Sequence, residues 1–452
     1  MLRRWKQAAF LAALAALVAT VFGGATGIAS ARTEDRTASK HFRIMGFGPG
    51  DEIANVRADL ATEALARADA DVQNPSGGFD DQKFLAALAS RDVPDIVYMD
   101  RKKIGSYAAR GVLVPLNSCI KNQKIKISQY RKVSLASVTY KGRIYAIPEF
   151  TNPITIIAVN SVLRDAGVKP ADLNTRNWAK LRTAAKKMYK SSDGKVTRIG
   201  FDPKLPEFFP LWAKSLGLNL LSKNGLRAFL NHPKAIQALT YANQLIKDQG
   251  GFDRFNAFKQ SWDFFGNKNQ VDQAQVGAWP QESWYYAVLA RTTKAELTAV
   301  PFRNKAGGQI TYLQGSAWAI PKGSKLQGLA CTWARVMTAP GSWYKAVKVR
   351  FDNQRRLGRP FTGTFTANRT ADVKIFEDLY QSFGSKAYDN AVRLLVNVQK
   401  YGFEQPASPA GAEYYQAMQD AINRMLSGKQ TPRAALNQAQ REAQTAINKA
   451  KK

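Results

Sequence analysis

Apolar positions along the chain follow two alternating periods. Ile154 to Val159 (ITIIAV) is a dense β-branched run, the pattern of a buried strand. His41 to Phe47 reads as a shorter strand. It runs into Gly46-Phe47-Gly48-Pro49-Gly50, and then Ile53, Val56, Leu60 and Ala64 recur at helical spacing. In an open α/β sheet a loop between strand and helix lies at the strand's carboxyl end and faces the ligand crevice. Phe47, Asp51 and Glu52 are therefore candidates to line it. The three glycines lack the spacing of a phosphate-binding fingerprint. Ala70 to Gln73 and Asp95 to Asp100 predict two more strands. Asp80 to Ala89 predicts a helix with Phe84, Leu85 and Leu88 on its apolar face. Further helices are predicted over Trp178 to Tyr189, Phe208 to Leu216, Pro233 to Gln249, Glu413 to Leu426 and Pro432 to Ala450.

Lys141 to Asn160 breaks this rhythm. Pro148 and Pro153 bracket Glu149-Phe150-Thr151-Asn152, and each proline pushes its predecessor toward extended geometry. The stretch predicts a crossing between two lobes with a polar turn, Asn152 included, at the crossing point. A cleft forms at such a crossing, and clefts bind ligands. A chain of 452 residues is also too long for one ordinary core.

Composition adds compartment and charge. Arg3, Arg4 and Lys6 precede an uncharged apolar run from Ala8 to Phe22, and Ala29-Ser30-Ala31 is an A-x-A pattern. That is the layout of a secretory signal peptide. No cysteine lies in Gly23 to Arg32, so a lipid anchor of the usual kind is not expected. Arg32 to Lys40 is polar and predicts disorder. Cys119 and Cys331 are the only cysteines. Export permits a disulfide, and sequence spacing does not decide it. With His41 and His232 they form no metal pattern. The net charge is +32, and residues 1–31 carry three positives and no negative, which leaves +29 for the exported part. Such charge speaks of partners and not of fold: an anionic envelope surface fits it. No nucleic-acid motif accompanies it, so no specific nucleic-acid site is expected.

Four ordered blocks carry a resemblance. Gly142-Arg143-Ile144-Tyr145-Ala146-Ile147-Pro148 is followed by Asn160 and Trp178-Ala179-Lys180-Leu181. Pro94-Asp95 through Asp100 precedes Gly111-Val112-Leu113-Val114-Pro115-Leu116. Val276-Gly277-Ala278-Trp279 runs to Trp284, and Gln314-Gly315-Ser316 opens a strand. In their order along the chain the blocks resemble the extracellular solute-binding proteins of ABC transporters, in the branch that binds sugars and maltose-like oligosaccharides, over about residues 42 to 449.

The resemblance implies an α/β fold of two lobes, the type II periplasmic-binding-protein fold, with a cleft between lobes joined by hinge strands. The expected organisation is a signal peptide (1–31), first lobe (32–150), second lobe (151–313), a return to the first lobe (314–358), and a closing segment on the second lobe (359–452). It implies a monomer, exported to the periplasm or beyond, that hands a small solute to a membrane permease with ATPase subunits. No cofactor is implied.

Asp100 and Arg101 stand where family members contact sugar hydroxyls, although Asp100 could instead cap the helix that follows. Trp279 and Trp284 are both candidates to stack on a pyranose face. Gly315 and Ser316 mark the return, and Arg359 the last crossing. Arg101, Arg143 and Arg359 would suit an acidic or phosphorylated sugar. A polyamine is a further alternative, as is ferric ion, which Tyr285-Tyr286 would serve. An enzyme is not expected. Glu149, Asp100 and Glu282 show no catalytic pairing, and no Gly-x-Ser-x-Gly elbow occurs.

Overall fold

The computed structural model describes residues 40–451, apart from 49, 75–76 and 382–384. The expected signal peptide (1–31) and the polar stretch before Lys40 lie outside the described residues. Residues 40–452 form one compact unit, built around two five-stranded sheets.

The first sheet holds β1 (Lys40–Met45), β2 (Ala70–Gln73), β3 (Ile96–Asp100) and β4 (Ala146–Pro148). The second holds β5 (Ile154–Val159), β6 (Lys190–Ser192), β7 (Lys195–Phe201), β8 (Val276–Glu282) and β9 (Leu297–Val300). The chain then returns to the first with β10 (Ser316–Ala319). The orders are β2-β1-β3-β10-β4 and β9-β5-β8-β7-β6. In the first sheet β1 runs parallel to β2 and β3, while β10 is antiparallel to β3 and β4. All six residues of β5 are buried, as its β-branched run requires, between β9 and β8.

The helices that frame the site are α1 (Glu52–Ala66), α2 (Arg101–Ala109), α3 (Trp178–Met188), α4 (Trp284–Thr292), α5 (Gln327–Thr338), α6 (Pro340–Arg356), α7 (Lys386–Val398), α8 (Gly411–Leu426) and α9 (Pro432–Lys451). The Asp51 side chain starts α1 by accepting from the Ala54 amide at 2.8 Å. Gly46 ends β1 at φ 88°, where a Cβ would overlap the Tyr98 carbonyl oxygen. A disulfide joins Cys119 to Cys331 of α5, with Cα atoms 5.6 Å apart.

Three segments lie side by side where the sheets meet. Asn152 N–H donates to the Gln314 carbonyl at 2.9 Å. Thr151 N–H donates to Phe365 at 3.1 Å, and Ala367 N–H to Glu149 at 2.9 Å. The two-lobe architecture read from the sequence is thus present. One boundary differs. The sequence places 359–452 on the second lobe, but Phe361, Ala371, Ile375 and Leu379 pack with Ile53 of α1 and Trp343 and Val347 of α6. The chain rejoins the second sheet at α7, which packs on β9. Lys40, placed in the polar stretch by sequence, is the first residue of β1.

Candidate functional site

A cavity of about 650 Å³ opens between the sheets. One wall comes from the end of β1 and the start of α1 (Phe47, Asp51, Glu52) with Trp343 and Arg350 of α6. The facing wall is Ser283 and the α4 residues Trp284, Ala287, Val288 and Arg291. Glu149, Phe150, Asn152 and Phe365 of the crossing segments lie between them.

Buried charge holds the first wall. Arg57 and Glu149 form an ion pair with side chains only 4% and 1% exposed. Arg57 also donates to the carbonyls of Ile53 (3.0 Å) and Met337 (2.9 Å), and its guanidinium sits 3.7 Å over the Trp343 ring. Charges taken out of water need such multiple partners. Beside them, burial and the Glu149 charge push the Tyr98 hydroxyl well above its usual pKa. At the rim, burial of Asp51 works against ionisation, but the Arg350 charge and the Ala54 amide hold its carboxyl below the usual value.

The second wall carries an aromatic shelf. Trp284 and Phe265 stack at 6.1 Å and 19° between planes, and remain 37% and 67% exposed. Trp284 Nε1 donates to Glu282 Oε2 at 2.6 Å. Burial lifts the Glu282 carboxyl to about 7; the Trp284 N–H opposes this and the Glu207 charge adds to it. The Asn152 side chain also pulls the Glu282 carboxyl downward. A ring face beside a hydrogen-bond acceptor suits a ligand with an apolar face and a rim of hydroxyls.

Beyond Glu282 a second opening of about 450 Å³ is lined by Asp100, Lys102 and Tyr415. Lys102 Nζ pairs with Asp100 at 3.0 Å and stands 4.1 Å over the Tyr415 ring. Burial raises the Tyr415 hydroxyl pKa, and the charges of Glu207, Asp100 and Glu282 raise it further.

The sequence profile of the bacterial extracellular solute-binding proteins matches residues 69–342. The chain belongs to that family. The family resemblance read from the sequence is borne out. No curated protein matches the chain by sequence. Among solved structures the chain is similar to CpMnBP1 with mannobiose bound, at 18% identity and TM-score 0.71, over 90% of this chain and 100% of that one. It is similar to the ABC substrate-binding protein Lmo0181 of Listeria monocytogenes in complex with cycloalternan, at 16% identity and TM-score 0.71, over 91% and 99%. It is also similar to UgpB of Mycobacterium tuberculosis in complex with glycerophosphocholine, at 16% identity and TM-score 0.67, over 92% and 99%. These likenesses show the same two-lobe fold.

In this solute-binding protein the expected site residues divide. Phe47, Asp51, Asn152 and Trp284 line the large cavity. Asp100 lines the second opening, and its side chain makes no capping bond to α2. Trp279 is not in the cleft. It lies in β8 between β5 and β7, is 1% exposed, and belongs to the second-sheet core. Arg101 is not free for a ligand either. Its side chain is fully buried against Glu404 (2.7 Å) and the carbonyls of Phe150 (2.6 Å) and Ser316 (3.2 Å).

Gly315 borders a narrow pocket with Asp100 and Tyr414. A Cβ there would overlap the Phe150 carbonyl and the Arg101 guanidinium, so its role is close packing at the crossing. Ser316 sits behind the cavity, with its side chain on the Tyr98 hydroxyl. Arg359 lies just past the end of α6 and does not line the large cavity. Tyr285 and Tyr286 are buried, with hydroxyls bonded to Gln270 and Thr155 and their pKa raised by burial, which is the wrong setting for phenolate ligands. Residues outside the predicted set complete the site: Arg291 and Arg350 line the large cavity, Lys102 and Tyr415 line the second opening, and Glu282 holds the Trp284 indole. Of these, Glu282 stood out in the sequence, as a carboxylate without a catalytic partner.

Proposed function

We propose that this solute-binding protein is the extracytoplasmic substrate-binding component of an ABC importer for a sugar or short oligosaccharide. The observation that carries the reading is the exposed Trp284 ring, which lines the cleft, stacks on Phe265 and is bonded at its edge to the Glu282 carboxylate. Apolar C–H faces of a pyranose would lie on the rings while Glu282, Asn152 and Asp100 accept or donate to hydroxyls. Structural neighbours with mannobiose and cycloalternan support this class of ligand. The two lobes close on the ligand by hinge motion about the three crossing segments. The loaded, monomeric protein then delivers it to a permease driven by ATPase subunits, without catalysis. It acts outside the cytoplasm and is not lipid-anchored through cysteine. Among the described residues no helix is long and apolar enough to cross a membrane.

One observation favours a second reading. Arg291 lines the cavity and has no acidic partner among the described residues, so it offers a fork to a phosphate or carboxylate on the solute. Thermal shift across neutral saccharides, uronic acids, sugar phosphates, glycerophosphodiesters, polyamines and ferric ion separates the two. A ligand at a hundred times its Kd adds roughly 2.7 kcal/mol of stability. A rise with one neutral saccharide class, lost in Trp284→Ala, is expected. A rise only with phosphate-bearing solutes, lost in Arg291→Ala, replaces the first reading with the second.

A further inference from the structure

Helix α6 carries a stripe that the cleft does not use. At successive turns it exposes Lys345, then Lys348 and Val349, Asp352, and Arg355 and Arg356. The stripe ends on exposed Leu357 and half-buried Arg359. Its one acid, Asp352, is taken up by Lys348 at 2.7 Å. Arg356 reaches only the Asn353 carboxamide, at 3.4 Å. Lys345, Arg355 and Arg359 have no acidic partner among the described residues. Cations in a last helical turn favour the negative end of the helix, which accounts for Arg355 and Arg356. It does not account for Val349 and Leu357, left 39% and 50% exposed beside them.

Nearby acids lie off the stripe. Arg350 occupies Asp51 and Glu52 at the start of α1, while Arg57 of α1 lies over Trp343. The two helices therefore run antiparallel, and the exposed Asp59 and Glu63 fall toward the Pro340 end. Glu377 and Asp378 are exposed on the 374–379 segment that also packs on α6. Of the cations without an acidic partner, Arg355 and Arg359 stand at the Leu357 end beside Leu357, and Lys345 lies along the helix before Val349.

We propose that this face is a peripheral contact for a membrane surface of anionic phospholipid. Lipid phosphates pair with the guanidinium and ammonium groups, and Val349 and Leu357 reach the headgroup–acyl boundary. The net charge of +29 from Arg32 onward (+32 less the three positives of residues 1–31) supplies the long-range attraction. Both cysteines of the sequence are held in the disulfide, so neither carries a lipid. Arg350 and Gln354 line the cavity from the opposite face of the same helix, so the contact leaves them free for the solute. The inference does not depend on which solute the cleft takes.

Co-sedimentation of the protein from Arg32 onward with vesicles tests it, using phosphatidylcholine alone or mixed with phosphatidylglycerol. Binding is expected only with phosphatidylglycerol, weakening as salt rises. Arg355→Gln/Arg356→Gln should bind roughly thirty-fold more weakly at unchanged melting temperature. Leu357→Ser should bind several-fold more weakly, and Lys121→Gln/Lys124→Gln, on a distant exposed turn, should bind as the parent does. Equal losses in the two charge pairs would make the attraction diffuse and overturn the site. An unaffected Leu357→Ser with equally tight binding to soluble polyphosphate would assign the face to a polyanion instead. Absence of vesicle binding overturns the proposal outright.

Discussion

The Trp284 indole N–H is bonded to the Glu282 carboxylate, so the ring that offers its face to the cleft is oriented by the acid at its edge. Trp279, five residues earlier on the same block, instead fills the core of the second sheet. The two tryptophans should separate in mutagenesis. Trp284→Ala should cost at least roughly tenfold in ligand affinity with little change in stability. Trp279→Ala should cost about 3–5 kcal/mol of stability, read by denaturant unfolding. Equal effects on affinity, measured calorimetrically, would remove Trp284 from the site.

Glu282 gives the protein a pH signature. Its carboxyl titrates near 7 in the fold because it is buried, against about 4.3 in an unfolded chain. Between those values the folded chain holds a proton that the unfolded chain has released, so stability falls as pH rises. The contribution is complete below about 4.3 and is lost through 7. Glu282→Gln fixes the neutral form. It should match the parent in melting temperature at pH 4 and exceed it at pH 8. A difference independent of pH would contradict the assignment.

What the sequence made legible depended on local chemistry. Pro148 and Pro153 mark the first crossing, and the β-branched run after them is the fully buried β5. Asp51 and Phe47 were readable because a strand–loop–helix unit places its loop at the crevice. Trp279 and Trp284 were not separable, because β8 is buried along nearly its whole length and alternation carries no signal there. Arg101 misled because a charge is expected in water, and the Glu404 that buries it lies 303 positions away. The same distance effect hid the packing of Phe361 and Ile375 against α1 and α6.

The Arg57–Glu149 pair lines the cavity and should also be stability-critical, since it holds the wall. Arg57→Met strands a buried carboxylate and should cost about 3–5 kcal/mol. Adding Glu149→Gln removes the stranded charge and should restore a large part of that loss. A double-mutant cycle by denaturant unfolding reads the coupling. Additive single losses would show that the two groups act independently.

Gly315 ties the crossing to the cleft. Its amide plane lies against Phe150 on the first crossing and Arg101 at the start of α2, with no room for a methyl group at either. Its carbonyl also accepts from the Arg101 amide at 3.1 Å. Gly315→Ala must therefore displace the 314–316 segment from 149–152, and Phe150 and Asn152 of that partner segment line the cavity. Overpacking of this kind costs typically about 1–3 kcal/mol. Because the shift falls on the hinge, the variant should also bind ligand more weakly and close less completely. Denaturant unfolding reads the first effect, and small-angle scattering with and without ligand reads the second. A variant that loses stability but compacts on ligand as the parent does would confine Gly315 to packing and leave hinge motion to the other two segments.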